Sequence, residues 1–422
     1  MANDSREKPW PELHEEYETL GVWLPNVPEG RVFDVISSGV YFLFTSGPAA
    51  AWIALCERAK TLDRTDDEES IRLRGLSYAL SQFPSLDSDD VNRAKKICEQ
   101  KLEFDEERGN TEEASHAALI LGRILDQQGE SDKALEFLQS RAVPGFTDAG
   151  CEIEQAWARG DIAGVLQARG ELDEALRIRR EEQLPVYERL GDVRSKAVTQ
   201  GQIADVLQAR GALDEALRIR REEELPVYER LGDVRQMAIT QGNIADVLQA
   251  RGELDEALRI HREEELPVYE RLGDVRATAV TQGYIADVLQ ARGELDEALR
   301  IRREQELPVY ERLSDIREKA LTQSKIAQIY SRQQNFQSAI QLFRDEVIPA
   351  FQTLGVKRDI AFTQHNLAHA FLNRKEGRDI RRAEELFSEA LSVAEEMRIP
   401  EADEIRKMLK VCERLRKQQR RR

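Results

Sequence analysis

Apolar residues recur along this chain in paired helical patterns that repeat every 41 residues. Between Ala197 and Ala209 the apolar positions fall three and four residues apart, which is the spacing of one face of an α-helix. Arg210 and Gly211 follow, a combination typical of a helix end, and a second helical pattern begins at Leu213. Each period therefore predicts a pair of helices joined by a short turn.

Glycine, alanine and proline keep the 41-residue interval through successive units, which chance does not produce. The positions are Gly129, Gly170, Gly211, Gly252 and Gly293; Ala134, Ala175, Ala216, Ala257, Ala298 and Ala339; and Pro144, Pro185, Pro226, Pro267, Pro308 and Pro349. This regularity predicts a stack of helix pairs. The stack contains about nine pairs once the irregular units at its two ends are counted.

The second helix of each unit contains a proline and a series of charge pairs. In the unit that begins at Ala197, Pro226 is expected to remove one backbone hydrogen bond and to bend the helix before it ends at Gly232. Arg220 and Glu224 are four residues apart, so we expect them to form a weakly stabilising pair on the exposed face. These features are interpreted as packing devices.

Composition narrows the possible functions of such an array. The net charge of −17 and pI near 5.1 disfavour nucleic-acid binding by the body of the protein, because neutralising phosphates needs a basic surface. The four cysteines lie far apart in sequence, which favours a reducing compartment. The most apolar stretch, Val40 to Leu55, is too short and interrupted to span a bilayer. We therefore expect a cytoplasmic location and no membrane association.

Differences in regularity suggest four parts of the chain. Residues 1–30 are predicted to be an extended arm, and residues 31–110 to be two irregular helix pairs. Residues 111–400 form the regular array, and residues 401–422 a capping helix with a basic tail. An alternative is that the irregular region before Asn110 is a separate effector module.

The unit resembles the tetratricopeptide repeat. The residues that carry the resemblance are Ile203, Ala204, Leu207, Gly211, Leu213 and Ala216, together with the pair Leu121 and Gly122. The long period and the ending Leu231, Gly232, Asp233 are similar to the repeats of kinesin light chains and the Pins family, and near-identical neighbouring units also occur in bacterial arrays. The resemblance implies an all-α, right-handed superhelical solenoid whose first helices line a groove for a peptide.

The resemblance also implies which residues face a partner, since the family uses fixed positions of each first helix. Here these positions give a predicted groove of Gln202, Asp205, Gln208, Asn243, Asp246, Gln249, Tyr284, Asp287, Gln290, Lys325, His365 and His369. The repeated aspartates form an acidic ladder, so a basic or polar protein segment is the expected partner. Gly201, Gly242 and Gly283 are expected to leave room for its close approach.

Neither a metal site nor a catalytic site is predicted. His365 and His369 are four residues apart on a helix, a spacing at which two imidazoles can share a metal, but no third ligand is evident. The sequence has no phosphate-binding glycine loop, no nucleophile elbow and no cysteine with a convincing histidine partner. We therefore expect a protein that is not an enzyme and needs no cofactor.

The leading hypothesis is a non-catalytic scaffold or adaptor that binds a protein segment in the groove. One alternative is a regulatory or sensor subunit of a bacterial signalling or defence assembly. Another is a nucleic-acid-associated regulator that acts through the basic C-terminal tail, Arg414, Arg416, Lys417, Arg420, Arg421 and Arg422.

Overall fold

The structure is a computed structural model that describes residues 27–36, 49–63, 65–81, 88–376, 378–397 and 402–419. All regular structure in these ranges is helical. The predicted arm before residue 27 and the last three arginines lie outside the described residues. No helix in the described ranges combines the length and the apolar character needed to cross a membrane.

The helices are labelled in chain order. The first three precede the regular array: α1 (Ala49–Ala59), α2 (Asp66–Ser81) and α3 (Ser88–Glu107). The first helices of the regular pairs are α4 (Thr111–Gln127), α7 (Glu152–Ala168), α10 (Val193–Ala209), α13 (Val234–Arg251), α16 (Val275–Arg292), α19 (Ile316–Arg332) and α22 (Lys357–Arg374).

Six of the second helices consist of two α-helical halves joined by a π-helical turn. The halves are α5 (Ser131–Phe137) and α6 (Val143–Asp148), α8 (Leu172–Arg177) and α9 (Leu184–Leu190), α11 (Leu213–Ile219) and α12 (Leu225–Leu231), α14 (Leu254–Ile260) and α15 (Leu266–Arg271), α17 (Leu295–Ile301) and α18 (Leu307–Arg312), and α20 (Phe336–Leu342) and α21 (Ile348–Leu354). The chain ends with uninterrupted α23 (Asp379–Glu396) and α24 (Ala402–Gln419).

Contacts divide the chain into two compact units. The first unit comprises residues 1–167, 171–206 and 230–233, and the second comprises residues 168–170, 207–229 and 234–422. In the second unit, α13 packs on α14, and α14 in turn packs on the next first helix, α16. The same alternation continues as far as α23. The predicted four-part division of the chain is not tested by this clustering and stays a prediction.

The π-helical turns occur where a proline follows. The turn Arg220–Glu224 ends directly before Leu225 and Pro226, and the N–H of Leu225 donates to the carbonyl of Arg220, five residues back. Proline has no N–H and its ring collides with the carbonyl four residues back, so a widened turn relieves the clash that a regular α-helix would contain. α23 has no proline in its interior and no π turn. The bend predicted at Pro226 is therefore a local change of helix type.

The first helices begin earlier than the apolar pattern indicates. α10 starts at Val193, not at Ala197, because Asp192 accepts a hydrogen bond from the N–H of Ser195 at 2.9 Å and so caps the helix. Gly191, one residue earlier, has a φ of +69° and closes the preceding helix. The Leu-Gly-Asp ending thus terminates one helix and starts the next.

The core of the second unit continues into its C-terminal helices. Phe343, Phe351 and Phe387 are fully buried there, each with at most 1% of its surface exposed. α24 packs on α23 and contributes buried Ile405 and Cys412 to the same cluster. The last helix therefore covers apolar surface that α23 would otherwise expose.

Candidate interaction surface

A layer of buried ionisable side chains lies behind the first helices of the second unit, and each member comes from a π turn. Arg302 donates to Glu306 at 2.7 Å and Arg220 to Glu224 at 3.0 Å, and all four side chains are at most 8% exposed. The sequence interpretation of Arg220 and Glu224 as an exposed surface pair is therefore wrong. The widened turn directs both side chains inward instead of toward solvent.

These two glutamates and Glu265, which occupies the equivalent position between them, also accept a hydrogen bond from the next first helix. The hydroxyls of Thr240, Thr281 and Thr322 donate to Glu224, Glu265 and Glu306 at 3.1, 3.1 and 2.9 Å, respectively. Where the equivalent residue is Gln183 or Val347, the corresponding threonine bonds to a backbone carbonyl of its own helix. The carboxylates thus tie neighbouring repeats together.

Glycines on the first helices make room for these carboxylates. A Cβ at Gly242 would lie 2.8 Å from Cδ of Glu265, and one at Gly283 would lie 2.9 Å from Oε1 of Glu306. The sequence pattern predicts that these glycines leave room for a partner. The space is filled instead by side chains of the chain itself.

Asp287 already forms ion pairs with two basic side chains of the protein itself. Arg302 Nη2 donates to Asp287 Oδ1 at 2.7 Å, and Lys325 Nζ lies 3.1 Å from the same oxygen. Two predicted groove residues, Asp287 and Lys325, are therefore bound to each other. Their charges are compensated before any partner arrives.

Asp246 occupies the equivalent place one repeat earlier but has a different neighbour. The residue that corresponds to Arg302 is His261, which is fully buried and bonds through Nδ1 to Glu265 at 2.6 Å. His261 Nε2 lies 3.9 Å from Asp246 Oδ1, which is beyond hydrogen-bond distance. Burial raises the pKa of Asp246 to about 6, although the nearby His261 opposes this shift.

Tyr284 contacts His261 and also lines a pocket. Its ring stacks on that of His261, with the centroids 5.6 Å apart, and 38% of its surface is exposed. It lines a pocket of about 350 Å³ between α13 and α16, whose wall also includes Asn243 and Tyr269 and whose inner end reaches Glu265. Burial raises the pKa of Tyr284 to about 12, so its hydroxyl stays protonated at neutral pH.

The other predicted groove residues differ in exposure. In the first unit, Asp205 is exposed and Gln202 accepts a hydrogen bond from Arg179. In the second unit, Gln208 and Gln249 are partly exposed. Gln290 is only 7% exposed, which limits the contact it can make with a partner.

His365 and His369 pack around an aromatic ring. Their rings are 4.6 Å apart and approach Phe387 edge-on at 5.4 and 5.2 Å. Burial lowers the pKa of His369. No group of three or more potential metal ligands occurs among the described residues.

Two buried cysteines and one arginine of the basic tail are held by contacts within the fold. Burial raises the pKa of the Cys56 thiol to about 12 and that of Cys412 to about 11, so neither is poised as a nucleophile at neutral pH. Arg416 of the basic tail pairs with Glu384 at 2.9 Å. Arg420, Arg421 and Arg422 lie outside the described residues.

Two stretches of the chain match models of the tetratricopeptide repeat family, residues 236–304 and residues 115–140. The chain is a tetratricopeptide repeat protein. The family predicted from the sequence is therefore confirmed. The predicted all-α repeat fold is confirmed as well. None of the curated proteins matches it.

Solved structures share the tetratricopeptide repeat fold at low sequence identity. A Signal Transduction ATPase with Numerous Domains protein with a tetratricopeptide repeat sensor, from Pyrococcus horikoshii, is 14% identical with a TM-score of 0.53, over 90% of this chain and 55% of that one. This chain thus spans about half the length of that protein. The apo form of the quorum sensor NprR from B. thuringiensis is 15% identical with a TM-score of 0.53, over 85% and 97% of the two chains.

A third structure, a Rap protein complexed with Competence and Sporulation Factor, is 13% identical with a TM-score of 0.51, over 82% of this chain and 98% of the other. At such identities the likeness shows the fold and no more. Stacked repeats of this kind create extended surfaces that are suited to binding other proteins.

The buried arginine–glutamate pairs, which lie behind the first helices, were missed by sequence reasoning. A signal for them exists, since the positions of Arg302 and Glu306 are occupied by Phe343 and Val347 one repeat later. Phe343 and Val347 are both fully buried. Apolar residues at the same phase of the repeat mark these positions as core.

Proposed function

We propose that this chain is a non-catalytic scaffold that binds a segment of another protein against the first helices of its second unit. The observation that carries the proposal is the open pocket between α13 and α16, which combines the aromatic rings of Tyr284 and Tyr269 with Asn243 and with the ion-paired Arg235 and Arg276. Aromatic walls with a few polar groups are typical of sites that anchor a side chain of a partner. The neighbouring Asp246 favours a basic or polar segment.

A second candidate is the sensor part of a larger signalling assembly. It is supported by the similar fold of the tetratricopeptide repeat sensor in the Pyrococcus horikoshii protein, which aligns with 90% of this chain. In both candidates the chain acts by binding, so both predict the same surface. They differ in whether the bound protein is an effector enzyme or a regulated target.

Site-specific photo-crosslinking tests the proposed surface. A benzoylphenylalanine in place of Tyr284 reports on the pocket, whereas the same group in place of Leu313, which is 47% exposed and outside the pocket, serves as the matched control. In an extract of the native source we expect a defined adduct from position 284 and none from position 313. Equal labelling from both positions, or labelling from 313 alone, would contradict the proposal.

A further inference from the structure

Three repeats of the second unit have the same polar arrangement, but one repeat lacks an arginine. Arg220 and Arg302 occupy equivalent positions, and between them the chain has His261. Arg302 is long enough to bind both Glu306 and, fifteen residues earlier in sequence, Asp287. The equivalent distance from His261 to Asp246 is 3.9 Å. The imidazole therefore satisfies its glutamate and leaves its aspartate without a donor from this position.

The gap between His261 and Asp246 has a defined chemistry. The carboxylate of Glu265 can only accept, so Nδ1 of His261 donates to it. Asp246 Oδ1, 3.9 Å from Nε2, is an acceptor. In the described part of the chain Nε2 has no hydrogen-bond partner although the side chain is fully buried. His261 therefore gives Asp246 no hydrogen bond.

A partly exposed aromatic ring lies beside His261. The ring of Tyr284 stacks on His261 and keeps 38% of its surface exposed, and the side chain of Asp246 is 35% exposed. A guanidinium or ammonium group on a partner could donate to Asp246 and lie against the Tyr284 ring, an arrangement in which the ion pair and the cation–π contact add.

We propose that Asp246 and Tyr284 form a binding position for an arginine or lysine side chain of the partner, and that His261, which replaces an arginine, is the residue that leaves this position open. This inference rests on the proposed function, because it assigns a chemical group to the same surface. His261 is a positioning residue, since it is buried and acts through Asp246. In the next repeat the cation is supplied internally by Arg302 and Lys325, so that repeat has no such opening at Asp287.

The test uses fluorescein-labelled hexa-arginine as the probe and the full chain, with binding followed by fluorescence anisotropy at about 0.15 M salt. His261→Arg introduces the residue of the neighbouring repeats and should fill the position. Asp246→Asn removes its charge. We expect His261→Arg to weaken hexa-arginine binding about tenfold, the combined effect of one ion pair and one cation–π contact, and Asp246→Asn, which leaves Tyr284 in place, to weaken it about threefold. Hexa-citrulline, which has the same shape without the charge, should not bind.

The matched control is Asp255→Asn, which removes the same charge from a fully solvated side chain of the same repeat, 92% exposed. It should change the affinity less than twofold. Equal losses in Asp246→Asn and Asp255→Asn would show general attraction to an acidic protein and overturn the inference. So would a His261→Arg variant that folds, by circular dichroism, and binds as well as the unaltered chain. If His261→Arg does not fold, the comparison of the two aspartate variants decides.

The inference and the proposed function can fail separately. Crosslinking from position 284 that persists undiminished in the His261→Arg background would leave the scaffold proposal standing and refute the cation position. Loss of hexa-arginine binding in His261→Arg without any partner adduct at position 284 would have the opposite meaning.

Discussion

The buried pair of Arg302 and Glu306 provides the sharpest test of how this array is stabilised. Substituting Arg302 by Phe leaves Glu306, 8% exposed, with only the Thr322 hydroxyl as a partner. Removing one member of a buried ion pair typically costs about 3–5 kcal/mol, because the remaining charge stays desolvated. We expect Arg302→Phe to lower the free energy of unfolding by that amount.

The protein contains its own template for the compensating change. One repeat later the same two positions are Phe343 and Val347, both fully buried. The double variant Arg302→Phe/Glu306→Val therefore replaces the pair by one that the fold already accommodates. It should recover at least about 2 kcal/mol relative to Arg302→Phe alone, since an apolar replacement of a buried pair is often neutral.

The pH dependence of the single variant provides an independent check. Burial raises the pKa of Glu306 even with Arg302 present, and removing the arginine raises it further. A carboxyl whose folded-state pKa is raised stabilises the fold at low pH and loses that contribution as pH rises through the folded pKa. The deficit of Arg302→Phe should therefore be smaller at pH 5 than at pH 8.

Equilibrium urea unfolding followed by circular dichroism measures these differences, with Asp255→Asn as a surface control. A double variant as unstable as Arg302→Phe would refute the view that the unpaired carboxylate is the source of the loss. A deficit that does not change with pH would refute the assignment of that loss to Glu306.

Two further predictions concern single positions. Gly242→Ala places a methyl group 2.8 Å from Glu265 and should lower the free energy of unfolding by about 1–3 kcal/mol, measured by urea unfolding. The control Gly164→Ala should be neutral or slightly stabilising, because the nearest atom to the added methyl group is Arg179 Nη2 at 4.0 Å. Equal effects of the two substitutions would contradict the packing argument. Burial lowers the pKa of His116 to about 4. The contribution of this histidine to the free energy of unfolding is therefore complete above pH 6.5 and declines as pH falls toward 4. Between pH 7 and pH 4.5 the His116→Phe variant should lose about 2 kcal/mol less unfolding free energy than the unaltered chain.

The fold could be predicted from the sequence because local signals agree in every repeat. The phase of Gly211 and Ala216 gives the helix pair, and Pro226 gives the place of the bend. The start of α10 at Val193 was missed because apolar periodicity does not register a cap, which in this case is the side chain of Asp192. The resemblance to the tetratricopeptide repeat adds how successive helix pairs stack, which the pattern of one repeat does not specify.

The polar layer could not be predicted from one repeat taken by itself. Charged residues four apart on a helix usually lie on its surface, and only a π turn brings Arg220 and Glu224 inside. Comparison with Phe343 and Val347 would have indicated burial. Which aspartate stays open depends on the 3.9 Å between His261 and Asp246, a distance that no sequence pattern contains.

The hydrogen bonds from threonine to glutamate have a consequence for how an array of this kind can lengthen. The two repeats that contain Thr240 with Glu265 and Thr281 with Glu306 each offer a carboxylate to the successor and a hydroxyl to the predecessor. A duplicated repeat inserted in the middle would find both halves of the bond already in place at its two new junctions. Toward the C-terminal end, Val347 offers no acceptor, and Thr363 bonds to its own helix. The interior of the array can therefore grow by tandem duplication, while its end requires a sequence of its own.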